Sequence, residues 1–154
     1  MKPTELNSKS LMIEDLVSYN GTPIKVENIH EDCINYSPDI PYVQEEFFID
    51  ITDIKPIPLT KEILEKIGFN KVPQQGCLNS YYWMMEKYEE ESEELLYRIQ
   101  AYKTIFRGMY ISIDNYADCE QIKISKQIEH FHELQHVLRL CGLNDLADNL
   151  KLEE

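Results

Sequence analysis

Leu11-Met12-Ile13-Glu14-Asp15-Leu16-Val17-Ser18-Tyr19-Asn20-Gly21-Thr22-Pro23-Ile24-Lys25-Val26-Glu27-Asn28-Ile29 is the stretch whose reading decides the fold. Asn20-Gly21 is the strongest short hairpin signal, because both residues tolerate the positive φ that a tight two-residue turn demands. Leu11, Ile13, Leu16 and Val17 read as the strand entering that turn. Ile24, Val26 and Ile29 read as the return strand, with apolar positions close to period two. His30-Glu31-Asp32 is a turn, and Cys33, Ile34 and Tyr36 form a short strand broken by Ser37-Pro38-Asp39 and Pro41. Phe47-Phe48-Ile49-Asp50-Ile51 and then Ile54 to Ile57 complete the β-structure. About five short strands in so little chain predict a small curled sheet or an SH3-like β-barrel, and the expectation taken forward is the barrel, with an apolar interior.

Beyond it, Lys55-Pro56-Ile57-Pro58 must be extended, since proline biases its predecessor away from the helical region. A short helix follows. Thr60 is a good N-cap, Leu59 and Leu64 occupy the two positions of a hydrophobic staple, and Ile63, Leu64 and Ile67 make the buried stripe. Gly68 sits where a left-handed residue ends a helix, with Phe69 as its hydrophobic contact. Residues 70–77 read as a loop around Pro73 and Gly76. Tyr81-Tyr82-Trp83-Met84-Met85 reads as a strand, residues 86–94 as a solvated loop or long hairpin tip, and residues 95–101 and 105–113 as two more strands. A turn at 114–118, a short strand at 121–124 and a helix over 126–140 ended by Gly142 complete the chain, with Asn144 capping a final turn through Leu150. The expected class is α+β: a small β-barrel lobe over residues 1–57 and an α+β lobe over 58–154, sharing one core. The second lobe is read as a short helix, an antiparallel sheet and a C-terminal helix.

Composition narrows the function classes. With 154 residues and a hydrophobic fraction of 43%, the chain can bury a normal core. The formal net charge of −13 argues against direct nucleic-acid binding and against anionic membranes, because phosphates repel such a surface. An acidic surface serves solubility, docking to a basic protein partner, or mimicry of nucleic acid. Residues 86–94 hold six glutamates and one lysine, a solvated segment or an acidic docking site. Cys33, Cys77, Cys119 and Cys141 are widely spaced and form no C-x-x-C. With no apolar leader in the opening residues and no apolar run long enough to span a membrane, the expectation is a reduced, cytoplasmic protein with inert thiols.

His132-Glu133-Leu134-Gln135-His136 spells H-E-x-x-H. Two histidines four apart can share a zinc ion from one helix face, and the glutamate between them can act as general base on a metal-bound water. A catalytic zinc needs a third protein ligand. The acidic candidates downstream are Asp145, Asp148, Glu153 and Glu154, and Arg139 stands where the extended motif has glycine. On a helical wheel, Phe131, Leu134, Val137, Leu138 and Cys141 cluster on one side. His132 and His136 fall opposite with Glu129, Glu133 and Arg139, on a face expected to be solvated, while His130 lies nearer the apolar edge. The reading is therefore no cofactor. A zinc-dependent hydrolase using His132, Glu133 and His136 is kept as the enzymatic alternative.

Other chemistries lack their signatures: there is no Walker loop, no G-x-G-x-x-G and no G-x-S-x-G. A cysteine nucleophile paired with His30 or His130 has no local motif to support it. Tyr81, Tyr82 and Trp83 could stack bases. Without basic neighbours they read as a core or interface strand, and the ten tyrosines suit a β-rich core edge or a protein-binding surface.

Three stretches carry a resemblance. Leu11-Met12-Ile13-Glu14-Asp15-Leu16-Val17 is similar to L-R-I-G-N-L-V. Ile54-Lys55-Pro56-Ile57-Pro58-Leu59-Thr60, running on through Lys66-Ile67-Gly68-Phe69, is similar to I-x-P-I-P-L-T-E-E-W-L-L-K-F-G-F. The segment from His132 through Gly142 is similar to H-Q-L-Q-N-L-Y-F-A-L-T-G. Together, in this order, they resemble a family of small uncharacterised proteins of gut Bacteroidetes, often located in prophage or other mobile regions. The chain departs from that pattern at Glu14 and Asp15, where the family has Gly-Asn, and at Glu133 and His136, where it has Gln and Asn. The resemblance implies no activity. Together with the acidic composition and the missing catalytic sets, it implies a non-enzymatic accessory protein of a mobile element that binds another protein. The alternatives are the zinc hydrolase and an acidic nucleic-acid mimic.

Overall fold

The computed structural model describes Leu6 and residues 10–36, 47–76, 80–104, 108–116 and 121–152. The chain divides into two compact units. The first runs to Ile57 and takes in His130–His132; the second runs from Pro58 to Glu129 and from Glu133 to Leu152.

The first unit holds six short strands: β1 (Leu16–Tyr19), β2 (Thr22–Lys25), β3 (Asn28–Ile29), β4 (Cys33–Tyr36), β5 (Phe47–Asp50) and β6 (Ile54–Lys55). The β1–β2 turn forms as the sequence implies. Asn20 and Gly21 take φ of 51° and 80°, and Tyr19 pairs with Thr22 to close a two-residue hairpin loop. Leu11 and Ile13 do not join β1. Leu11 precedes, and Ile13 lies within, a turn in which Met12 N–H donates to the buried Asp15 carboxylate at 2.8 Å.

The expected SH3-like barrel does not form. The strands make two separate three-stranded antiparallel sheets, ordered β2-β1-β6 and β3-β4-β5. Two local events part them. Between β2 and β3, Val26 N–H bonds to Asp15 while the next residue, Glu27, bonds to Asn35, so the ladder passes from one sheet to the other within two residues. Between β5 and β6, the Asp50 carboxylate accepts from the N–H and the hydroxyl of Thr52, at 3.0 and 2.8 Å. This starts a 3-10 turn at Ile51–Asp53. Such side-chain bonds offer the backbone an alternative to a continuous strand. One apolar core serves both sheets, built from Leu11, Val17, Ile24, Val26, Ile34, Ile49 and Ile54.

The second unit opens with α1 (Lys61–Lys66), whose ends follow the sequence closely. The Thr60 hydroxyl accepts from Ile63 N–H, and Leu59 and Leu64 are both buried as a staple. Gly68, at φ 110°, donates to Glu65 while Phe69 donates to Leu64, the paired bonds of a Schellman stop. Residues 70–77 are not all loop, because β7 (Asn70–Pro73) pairs with β8 (Tyr81–Tyr88). The proline is tolerated because β7 lies at the edge of its sheet. β9 (Leu95–Lys103), β10 (Met109–Asn115) and β11 (Ile122–Ile128) complete a five-stranded antiparallel meander ordered as in the chain. The segment from 86 divides: Glu86 to Tyr88 finish β8, and the remaining glutamates form the exposed tip of the β8–β9 hairpin.

Helix α2 covers Phe131–Leu140, not 126–140. Lys126 and Ile128 pair with Ile111 and Met109, so the sheet claims them before the helix starts. Gly142, at φ 78°, ends α2 with the same double bond, Gly142 to Arg139 and Leu143 to Leu138. Asn144 is the first residue of α3 (Asn144–Asn149) and not its cap; Leu143 holds that position without a side-chain bond. The architecture is dominated by antiparallel sheet, which replaces the α+β barrel expectation. Among the described residues no helix is long and apolar enough to cross a membrane.

Candidate functional site

His132, Glu133 and His136 lie on α2, and their surroundings differ from the wheel reading. The apolar side is buried as expected, with Phe131, Leu134, Val137, Leu138 and Cys141 all at most 1% exposed. The opposite side is only partly solvated: His132 is 5% exposed, while Glu133, His136 and Arg139 are half-buried, and Gln135 on the flank is 1% exposed. A wheel records the side chains of one helix and carries no information on what later packs against it. Gln135 is held by its amide, which donates to the Ala147 carbonyl of α3 at 3.1 Å. His132 stacks on His130 with ring centroids 5.8 Å apart and 13° between planes.

The other groups of the motif have structural duties. A Glu133 carboxylate oxygen accepts the N–H of Glu129 at 2.7 Å, reaching back across the start of α2 as a capping glutamate does. Asp148, one of the third-ligand candidates, meets Arg139 Nη2 at 3.1 Å and joins α2 to α3. Asp145 is exposed at the start of α3. Glu153 and Glu154 lie outside the described residues. Among the described residues no group of three or more His, Cys, Asp or Glu side chains is placed so that it could hold a metal ion. Cys141 is fully buried and burial pushes its thiol up to about 11, a poor nucleophile at neutral pH. Cys33 is half-buried, and Cys77 and Cys119 lie outside the described residues.

The five-stranded sheet presents a different kind of site. Its strand parity gives two faces. The inner row Trp83, Ala101 and Ile111 is buried, as are Ile99, Met109, Ile113 and Asn115 on the same side. The bonds that tie helices to this sheet come from that face: Trp83 Nε1 donates to Glu65 of α1, and Asn115 Nδ2 to the Cys141 carbonyl at 2.7 Å. The outer face carries Tyr82, Tyr102 and Tyr110 in one cross-strand row, with Tyr82 and Tyr102 stacked at 5.3 Å. The next row is Met84, Gln100, Ser112 and Ser125, and beyond it stand Glu86, Arg98, Asp114 and Lys123. No residue of these three rows is buried, and Tyr110 is 41% exposed.

Tyr81, Tyr82 and Trp83, expected together in a core or interface strand, do not share one face. Alternation in β8 separates them, sending Trp83 inward and Tyr82 outward. Period-two parity alone could have split them, but joining Tyr82 to Tyr102 and Tyr110 needs the register of three strands. Comparison of the chain with family models, curated proteins and solved structures finds no match.

Proposed function

We propose that the protein is a non-enzymatic binding protein that engages another protein through the outer face of its five-stranded sheet. The observation that carries this reading is the row Tyr82, Tyr102 and Tyr110, backed by Met84 and edged by charged residues of both signs, all of them half-buried or exposed. Tyrosine, methionine and arginine are enriched in protein interfaces, where a rigid aromatic body supplies contact area and its hydroxyl a hydrogen bond. The partner is basic: the chain's charge of −13 and the exposed glutamates at the β8–β9 tip would steer such a surface toward it. The family context is part of the proposal, an accessory protein of a prophage or mobile element. Glu14 departs from the resembled pattern, which has glycine there, yet it adopts φ 73°, the backbone angle that glycine favours.

The test is affinity capture with the full chain and with a Tyr102→Ser/Tyr110→Ser variant. A partner held by the native chain and weakened at least about tenfold by the double substitution supports the reading, in line with tyrosines acting as hot spots. A partner held equally by both would place the interface elsewhere, and none above background would count against a protein-binding role.

A further inference from the structure

The inner face of the same sheet has an open end. Lys71 pairs with Trp83 in register, and Tyr81 and Lys103 lie on the same face, each two positions further along its strand. Lys61, the first residue of α1, closes the group from the helix side. These residues and Ser80 line a cleft of about 430 Å³, within the range of roughly 300–1,000 Å³ typical of small-molecule sites.

The chain has 15 basic residues against 28 acidic ones, yet three lysines converge on this cleft. Part of their charge faces the exposed Glu62, which interacts electrostatically with both Lys61 and Lys103. Lys61 meets Glu62 at 4.0 Å, an exposed pair of small worth. Among the described residues no carboxylate stands within salt-bridge distance of Lys71 or Lys103. Lys71 instead lies 4.1 Å above the Tyr81 ring, a cation–π contact that holds its ammonium at the cleft wall. Trp83 is 4% exposed and its indole is pinned by the 3.1 Å bond to Glu65, so the floor of the cleft is rigid.

We propose that this cleft binds a small phosphate-bearing ligand. Three ammonium groups from three separate elements act as point charges around an anion with several equivalent oxygens. The Ser80 hydroxyl adds a neutral donor, and the Tyr81 ring offers an apolar wall to the rest of the ligand. The cleft's size and the acidity of the whole chain select a small molecule over a nucleic-acid strand, whose backbone the surrounding surface repels. This site lies on the opposite side of the sheet from the tyrosine rows and does not depend on the protein-binding reading.

The experiment is an amide NMR titration of the full chain with inorganic pyrophosphate at fixed ionic strength. Saturable shifts are expected at Lys71, Ser80, Tyr81 and Lys103. Lys71→Gln and Lys103→Gln should each weaken binding by about threefold or more, the scale of one exposed ion pair. The triple variant with Lys61→Gln should abolish saturation. All three lysines are exposed, so the variants should keep the native spectrum. Lys123→Gln, on the outer face, should bind as the native chain does. Absence of saturable shifts, binding unchanged in the triple variant, or an equal loss in Lys123→Gln would each overturn the assignment. So would an oligonucleotide that binds the cleft more tightly than pyrophosphate.

Discussion

Gly76 and Gly108 have nearly the same backbone angle, φ 81° and 84°, and both belong to the second unit. Their surroundings are opposite. A Cβ added at Gly76 meets nothing within 4 Å, whereas one added at Gly108 would sit 2.0 Å from the Ile128 carbonyl oxygen and 2.7 Å from Glu129 Cα. These are backbone atoms at the end of β11, so no side-chain rotation relieves the clash. Alanine at either position suffers the left-handed strain of about 1–2 kcal/mol, partly offset by roughly 0.4–1 kcal/mol from a less flexible unfolded chain. Gly76→Ala should therefore cost about 1 kcal/mol or less. Gly108→Ala adds an overpacking term of typically 1–3 kcal/mol, for a total of about 2–4 kcal/mol. Urea unfolding followed through the fluorescence of Trp83, the chain's one tryptophan and a buried residue of the same unit, measures both. If Gly108→Ala were no more destabilising than Gly76→Ala, the close approach of β10 to β11 would be wrong.

Three further outcomes follow from the site geometry. Cys141 has its thiol raised from 9.0 to about 11, first by burial and then by Asp114. The folded state thus holds that proton more tightly than the unfolded state does. Its contribution to stability is complete below pH 9 and declines as pH rises toward 11, a fall that Cys141→Ala should remove from the stability profile. Glu133→Ala should lower stability by about 1 kcal/mol through loss of the bond to Glu129 N–H. Elemental analysis of the native chain should find well under one zinc per molecule, and full occupancy that disappears in His132→Ala would reverse the structural reading of α2.

Much of the local structure was legible in the residues. Asn20-Gly21, Thr60, Gly68 and Gly142 each did what their side chains allow, because a turn or helix end is decided by sterics and bonds within a few residues. The boundary at Lys126 was not legible. The segment before Phe131 is assigned by pairing with Met109 and Ile111, and those partners are distant in the sequence. The candidate site was only partly readable. The histidines of α2 could be placed on one helix and opposite its apolar stripe, yet the burial of His132 depended on packing that the wheel omits.

What the sequence determined by itself is where the Asn20-Gly21 turn falls, where α1 begins and ends, where α2 ends, and that β-structure predominates before α1. Backbone preference and short-range hydrogen bonds suffice for that. Whether six short strands close into a barrel or part into two sheets was settled only in three dimensions, at Val26-Glu27 and at the Asp50–Thr52 turn. The same holds for the row Tyr82, Tyr102 and Tyr110 and for the meeting of Lys61, Lys71 and Lys103. Each joins residues far apart along the chain, and only strand register and the covering of one sheet face bring them together.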